Sequence, residues 1–241
     1  MNDRVPSGIP GLDALIGGGF PVNSVNLVCG PSGSAKTTFA MQFIYNGAKN
    51  HNDPGIYISL EEGRDNVIRA MKNYGLEIEN SEKENKLFLL DLSEIRRQVG
   101  AGTEEALLVG FQALEKILGT FIDRVGAKRL AIDSVTAIGL FYGDSSEHLR
   151  SEMFRFVKFL KDKKITTVLV TESKEAAHKT RYGIEEFLAD SFITLELEDV
   201  KGGLRRSINV RKMRFTKHNT DKHPLLIGDK GIDISPESKV F

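Results

Sequence analysis

The sequence predicts an α/β protein, with a mostly parallel central sheet flanked by helices and antiparallel strands added at its C-terminal end. Three observations carry this. Apolar, strand-like runs alternate with helical patterns from residue 25 to residue 170, the order that builds a parallel sheet covered on both faces. The first run leads directly into a glycine-bearing loop and then a helix start. After about residue 190 the alternation stops, and short strands follow one another across turns such as Lys201-Gly202-Gly203 and Asp229-Lys230-Gly231, as in antiparallel sheet.

The elements follow in order. Residues 1–24 form an entry segment rich in turn residues, with Leu12, Leu15 and Ile16 available for packing. Residues 25–29 are the first core strand. The helix after the loop places Phe39, Ala40, Phe43, Ile44 and Gly47 on one face, at spacings of three and four. Asn52-Asp53-Pro54-Gly55 ends it. A strand over 56–60 precedes a helix from about Asp65, whose stripe is Val67, Ile68, Met71 and Tyr74. A strand over 87–90, a long helix over 104–125 and a strand over 130–132 ending in Asp133 come next. A helix over 147–163 turns Leu149, Met153, Phe156, Val157 and Leu160 inward, and a strand follows over 166–170. Short strands over 192–198, 205–214, 225–227 and 232–234 complete the chain. No repeat or low-complexity linker divides it, so residues 1–241 read as one domain.

Composition narrows the function. The 241 residues can bury a sizeable core. Formal net charge is zero, so no global basic field marks the chain for nucleic acid or membrane. The single cysteine, Cys29, lies in an apolar strand. It forms no internal disulfide framework and suits a reducing, cytoplasmic setting. Turn residues, not an apolar run, follow Arg4, so no signal peptide is expected. No apolar stretch has the length of a membrane span.

The loop Gly30-Pro31-Ser32-Gly33-Ser34-Ala35-Lys36-Thr37, followed by Thr38, carries the most chemistry. It has the form of a phosphate-binding loop, G-x-x-x-x-G-K-[ST], between a strand and a helix as that motif requires. Ala35 stands where the second glycine is expected. Unpaired N–H groups at the helix start and the helix dipole favour an anion there. Gly30 and Gly33 let the backbone curl into a nest. Lys36 would reach the β- and γ-phosphates, and the Thr37 hydroxyl would hold Mg²⁺, which takes few protein ligands. The methyl of Ala35 is expected close to the phosphates, where it would hinder them. The chain is thus expected to bind a nucleoside triphosphate.

Two further strand ends point to the same site. In a parallel sheet ligands sit at the carboxyl ends of strands, where Asp133 would hold a Mg²⁺-bound water beside Thr37. Glu61 and Glu62 close the strand before it. One of them would orient or deprotonate the water that attacks the γ-phosphate, with Glu61 favoured and Glu62 its near-equal alternative. Near the C-terminus, strict alternation over 208–214 puts Ile208, Val210, Lys212 and Arg214 on one strand face. Two cations ending an apolar face suggest an anionic target, or simply two exposed charges at a strand end.

These motifs occur with others in a fixed order. Ser7-Gly8-Ile9-Pro10-Gly11-Leu12-Asp13 with Gly17-Gly18-Gly19 comes first, then the loop, Ile58-Ser59-Leu60-Glu61-Glu62 and Leu130-Ala131-Ile132-Asp133-Ser134. Gly183-Ile184-Glu185-Glu186-Phe187-Leu188-Ala189-Asp190 and Lys212-Met213-Arg214-Phe215-Thr216-Lys217-His218 complete the set. Together they resemble the KaiC-like branch of the RecA/RadA superfamily, in a single-domain form common in archaea. The resemblance covers nearly the whole chain. It implies a RecA-like P-loop NTPase core that uses ATP and Mg²⁺ and assembles as a ring, typically a homohexamer, with ATP between subunits. It also implies that Lys212 and Arg214 reach a neighbour's γ-phosphate, with Thr216 and His218 nearby. The segment at which the family's two-domain clock protein phosphorylates itself holds Glu185, Glu186 and Phe187 here, with no hydroxyl acceptor. Autokinase activity and circadian timing are therefore not implied.

Three functions are compatible with these residues. The first is a slowly hydrolysing ATPase ring with a regulatory or signalling role. The second is a recombination or repair accessory that binds single-stranded DNA through Lys174, His178, Lys179, Arg181 and Tyr182, on a loop that RecA-type proteins turn to the ring axis. Glu172, Glu175, Glu185 and Glu186 flank those cations. The third is a non-hydrolysing scaffold in which Ala35 blunts catalysis and ATP only joins subunits.

Overall fold

A computed structural model describes residues 4–91, 94–95, 110–142, 146–174 and 179–240. The entry segment pairs β1 (Arg4–Val5) with β2 (Phe20–Pro21) as an antiparallel ribbon around the short helix α1 (Leu12–Leu15). The Asp13 carboxylate accepts the Ser7 N–H at 2.9 Å and closes this loop. Then come β3 (Val25–Gly30), α2 (Lys36–His51), β4 (Gly55–Ser59), α3 (Arg64–Lys72), α4 (Ile78–Lys83) and β5 (Leu87–Asp91). They are followed by α5 (Phe111–Val125), β6 (Arg129–Asp133), α6 (Val135–Gly139), α7 (Ser146–Asp162) and β7 (Thr166–Lys174). The chain closes with β8 (Lys179–Thr180), α8 (Glu185–Leu188), β9 (Ser191–Val200), β10 (Gly203–Met213), β11 (Lys222–Gly228) and β12 (Gly231–Ile234).

The main sheet runs β12-β11-β10-β9-β3-β7-β6-β4-β5, with β8 paired to β7. From β9 to β5 neighbouring strands are parallel, and from β9 to β12 they are antiparallel. This is the predicted architecture. Every residue of β3 and β4 is buried, because helices cover both faces. Alternate strand residues serve the two cores. Val28, Tyr57, Ala131 and Val168 pack with α2 residues such as Phe39 and Phe43, and with Leu12, Ile16 and Phe20 of the entry segment. Leu27, Ile58 and Ile132 pack with Leu114 and Leu118 of α5 and with Phe156 and Leu160 of α7. Each large apolar side chain so buried contributes about 1.5–3 kcal/mol. Arg129, also fully buried, ties the entry segment to α2. Its guanidinium donates to the carbonyls of Pro6 and Phe43 at 2.8 and 3.1 Å and pairs with Asp53 at 2.9 Å.

Two expectations are revised, and three short features are added. The helix predicted over 104–125 starts at Phe111, because Gly110 is extended, and the Phe111 N–H donates to the Tyr142 hydroxyl at 3.0 Å; residues 104–109 lie outside the described residues. α4, α6 and the β1–β2 ribbon are too short to show a period in the sequence. Finally, β10 does not alternate strictly. Val210 pairs with Ile193 but Lys212 pairs with Phe192, so Arg211 is an extra residue in a bulge. A bulge reverses the facing of everything beyond it. Met213, not Lys212, therefore rejoins the core of Ile208 and Val210.

Candidate active site

Four parallel strands end together and build the site. The register pairs Gly30 of β3 with Glu172 of β7, and Ser59 of β4 with Asp133 of β6. The Leu60 N–H donates to the Asp133 carbonyl at 2.7 Å, so the chain leaving β4 stays beside β6. The strand ends line a cleft of about 370 Å³.

The loop after β3 is shaped by its small residues. A Cβ on Gly30 would lie 2.4 Å from the Leu195 carbonyl oxygen of β9, so only glycine fits. Gly33 takes φ +78° and Ala35 φ +78°, the left-handed region where glycine is favoured. Ala35 forms the N-cap of α2. Alanine at this position therefore carries a backbone cost. Its methyl packs against the core beneath α2, and the residue also lines the cleft. The Ser34 hydroxyl donates to the Pro31 carbonyl at 2.8 Å and holds the curl. Ser32, Gly33, Ala35, Lys36, Thr37 and Thr38 line the cleft.

Lys36 donates its ammonium to the Pro31 carbonyl at 2.8 Å, folded over the loop. Burial lowers its pKa, while Asp133, Glu172, Cys29 and Glu61 act to raise it. The Thr37 hydroxyl donates to the Asp133 carboxylate at 2.6 Å, and the Tyr57 hydroxyl to the same oxygen at 2.8 Å. Burial raises the Asp133 pKa, against the opposing effect of these two hydroxyls and of Lys36. Burial and the Asp133 charge push the Tyr57 phenol well above its ordinary value. A hydroxyl and a carboxylate in contact offer two hard oxygen donors, the donor set Mg²⁺ takes when it keeps most of its waters. The residues present fit that ion.

Glu61 and Glu62 both line the cleft. The Ser134 hydroxyl donates a short hydrogen bond to the Glu61 carboxylate. Glu62 is fixed through its backbone, its carbonyl accepting the Ser59 hydroxyl at 2.6 Å. Several lining residues are not evident from the sequence. Arg206 of β10 donates to the Gly33 carbonyl at 2.8 Å, and Tyr74, Ile227 and Glu172 complete the wall. β10 and β11 reach the loop only through the order of strands in the sheet, and no local pattern encodes that.

Lys212 and Arg214 lie elsewhere. Lys212 donates to the carbonyls of Glu186 and Ala189 at 2.9 and 2.7 Å. Arg214 pairs with Asp190 at 3.3 Å, and the other carboxylate oxygen of Asp190 accepts the N–H of Val25. Val25 begins β3, so the two cations sit at the opposite end of the strands, about 17 Å down β3 from the phosphate loop. On the second loop, Tyr182 donates to the Thr136 carbonyl at 2.9 Å and packs against Gly139, and Arg181 pairs with Glu172 at 3.7 Å. Lys174 is exposed at the end of β7 and Lys179 begins β8, while His178 lies outside the described residues.

The comparisons with known proteins agree with this geometry. A family model described as "ATPase: KaiC" matches residues 5–239. The circadian clock oscillator protein KaiC of Parasynechococcus marenigrum (strain WH8102) is 34% identical over 97% of this chain and 45% of its own length. That of Parathermosynechococcus lividus is 37% identical over 95% of this chain and 42% of its own. The chain thus spans less than half the length of these relatives. The crystal structure of the KaiC-like protein PH0186 from Pyrococcus horikoshii OT3 superposes with a TM-score of 0.83 at 36% identity, covering 97% of this chain and 99% of that one. With the phosphate loop, the Thr37–Asp133 contact and a RecA-like sheet in place, the chain belongs to the KaiC family of ATPases.

Proposed function

We propose that this protein binds ATP with Mg²⁺ in the cleft and hydrolyses it slowly, as a ring-forming regulatory ATPase whose site is completed by a second copy. The observation that carries the reading is the contact of Thr37 with Asp133 beside Lys36, where an anion-binding helix N-terminus meets a divalent-ion donor set. Thr37 and Asp133 would hold Mg²⁺, which when bound offsets charge on the phosphates. The α2 N–H groups cradle the phosphates, and Lys36 exchanges the Pro31 carbonyl for a phosphate oxygen. Tyr74, Ile227 and Arg206 lie on the cleft wall where the nucleoside would rest; adenine specificity follows from the family.

Glu61 is the base in this reading. Ser134 fixes its carboxylate at the cleft wall, where it accepts a proton from the attacking water. No cation of the protomer's own C-terminal strands other than Arg206 lines the cleft among the described residues. Lys212 and Arg214, remote from their own cleft, would serve a neighbour's, stabilising the charge that develops on the transferred phosphoryl group. Single-stranded DNA is the less favoured partner, because Glu172 lies against Arg181 and the chain has zero net charge, so no basic surface among the described residues tracks a phosphate backbone.

Phosphate release from ATP and Mg²⁺, with mass followed by light scattering, tests the reading on wild type, Lys36→Ala and Glu61→Gln. Turnover by an oligomer, loss of binding in Lys36→Ala, and binding without turnover in Glu61→Gln are expected. Assembly with no phosphate release would replace the ATPase with a nucleotide-gated scaffold.

A further inference from the structure

One hydroxyl buried in the core has its partner in the cleft. Tyr57 of β4 is fully buried, and its ring packs among the apolar side chains beneath α2. Its phenol makes one hydrogen bond among the described residues, to Oδ2 of Asp133 at 2.8 Å. The sheet register explains the reach. Tyr57 pairs with Ala131, and Ser59 with Asp133, across β4 and β6. Tyr57, Ala131 and Asp133 therefore share one face of the sheet. Ala131 is small, so the ring extends past it to the diagonal neighbour, a span that aromatic side chains cover. From the start of α2, Thr37 donates to the same Oδ2. Among the described residues nothing donates to Oδ1, and Asp133 lines the cleft.

Resting on the reading of Thr37 and Asp133 as the pair that would hold Mg²⁺, we propose that Tyr57 is a positioning residue for that site: its phenol locks the Asp133 carboxylate with Oδ1 left to serve the ion. A carboxylate turns easily about its last torsion and could offer either oxygen. Two hydroxyls on Oδ2 remove that freedom. Thr37 alone is a poor reference, because its own oxygen is to engage the ion. Tyr57 is held by the sheet and by the packing of its ring, and it does not line the cleft. Mg²⁺ demands near-ideal octahedral geometry, so a ligand that can turn binds it less well. A buried phenol also needs an acceptor for stability alone. The two roles differ in what they move: a structural one moves folding, whereas positioning moves the ion dependence of nucleotide binding.

Titration calorimetry with the non-hydrolysable analogue AMPPNP, over a series of Mg²⁺ concentrations and in EDTA, tests this on wild type, Tyr57→Phe, Asp133→Asn and the double variant. Affinities with and without the ion are compared within one preparation, so any loss of folded protein cancels. Tyr57→Phe is expected to bind AMPPNP in EDTA as wild type does, yet to need about 10- to 100-fold more Mg²⁺ for the same gain in affinity. In the Asp133→Asn background, removal of the phenol should shift the Mg²⁺ requirement by less than about twofold, because Tyr57 acts through that carboxylate. An unchanged Mg²⁺ requirement in Tyr57→Phe, with or without a lower melting temperature, overturns the positioning role. So does an equal shift with and without the Asp133 carboxylate. If Asp133→Asn alone weakens the Mg²⁺ dependence, the metal site stands without Tyr57. A wild type that binds AMPPNP equally in Mg²⁺ and EDTA, or not at all, overturns both.

Discussion

The Thr37 hydroxyl and the Asp133 carboxylate, 96 residues apart in the chain, meet at 2.6 Å. One leaves β3 through the phosphate loop and the other ends β6, with β7 between them. The sheet order makes that meeting possible, and it joins the two halves of the site.

Asp133→Asn tests the electrostatics of that contact. Burial raises the Asp133 pKa above 3.8, so the folded protein holds this proton to higher pH than the unfolded chain. Stability from this group is fully present below 3.8 and is lost as pH rises through the raised value. The asparagine variant, free of the buried charge, should melt higher than wild type at neutral pH. That advantage should vanish as pH falls through the raised pKa toward 3.8. Its Mg²⁺-dependent nucleotide affinity should fall at every pH. Melting curves across pH, with an advantage that persists at low pH, would place the effect elsewhere.

Ala35→Gly addresses the one departure from the phosphate-loop pattern. Relief of φ +78° should stabilise the protein by about 1 kcal/mol, less whatever packing the methyl contributes beneath α2. Chemical denaturation measures the difference. A clear loss of stability would show that the methyl's packing outweighs the strain.

The base assignment is separable by two substitutions. Glu61→Gln should slow phosphate release by about 10²- to 10⁴-fold with nucleotide binding retained. Glu62→Gln should leave most of the rate, since Glu62 is anchored by its carbonyl and not its carboxylate. Ser134→Ala should lower kcat more than it raises KM, because its hydroxyl orients Glu61. The reverse order for the two glutamates would exchange their roles.

Cys29 is a built-in probe of the core beside the loop. Burial is the main cause that pushes its thiol up to about 12, aided by the charge of Glu185. A thiol that stays protonated and buried reacts slowly. Native protein should resist a thiol reagent at neutral pH, and unfolded protein should react at once. Rapid labelling of the native state would show that the strand beneath the loop opens.

The gathering of these residues at one cleft was largely legible in the sequence, because each motif is local. A phosphate loop, a carboxylate after Leu130-Ala131-Ile132 and two glutamates after Ile58-Ser59-Leu60 each sit at the end of an apolar run. The parallel core followed from the same runs. What was not legible depends on contacts across strands. Arg206 reaches Gly33 only because β10 lies next to β9, which lies next to β3. The bulge at Arg211 breaks an alternation that the residues themselves suggest. The strain at Ala35 is a matter of φ, which composition does not display.

The central claim is that Lys212 and Arg214 act on another copy's nucleotide. Mixing two inactive variants tests it most directly: Lys36→Ala, with a dead cleft and intact cations, and Arg214→Ala, with an intact cleft and no finger. Acting across the interface, the mixture should release phosphate well above the sum of its parts, through sites that pair the good cleft of one with the good cation of the other. A mixture no more active than that sum, from variants shown to co-assemble, would contradict the account.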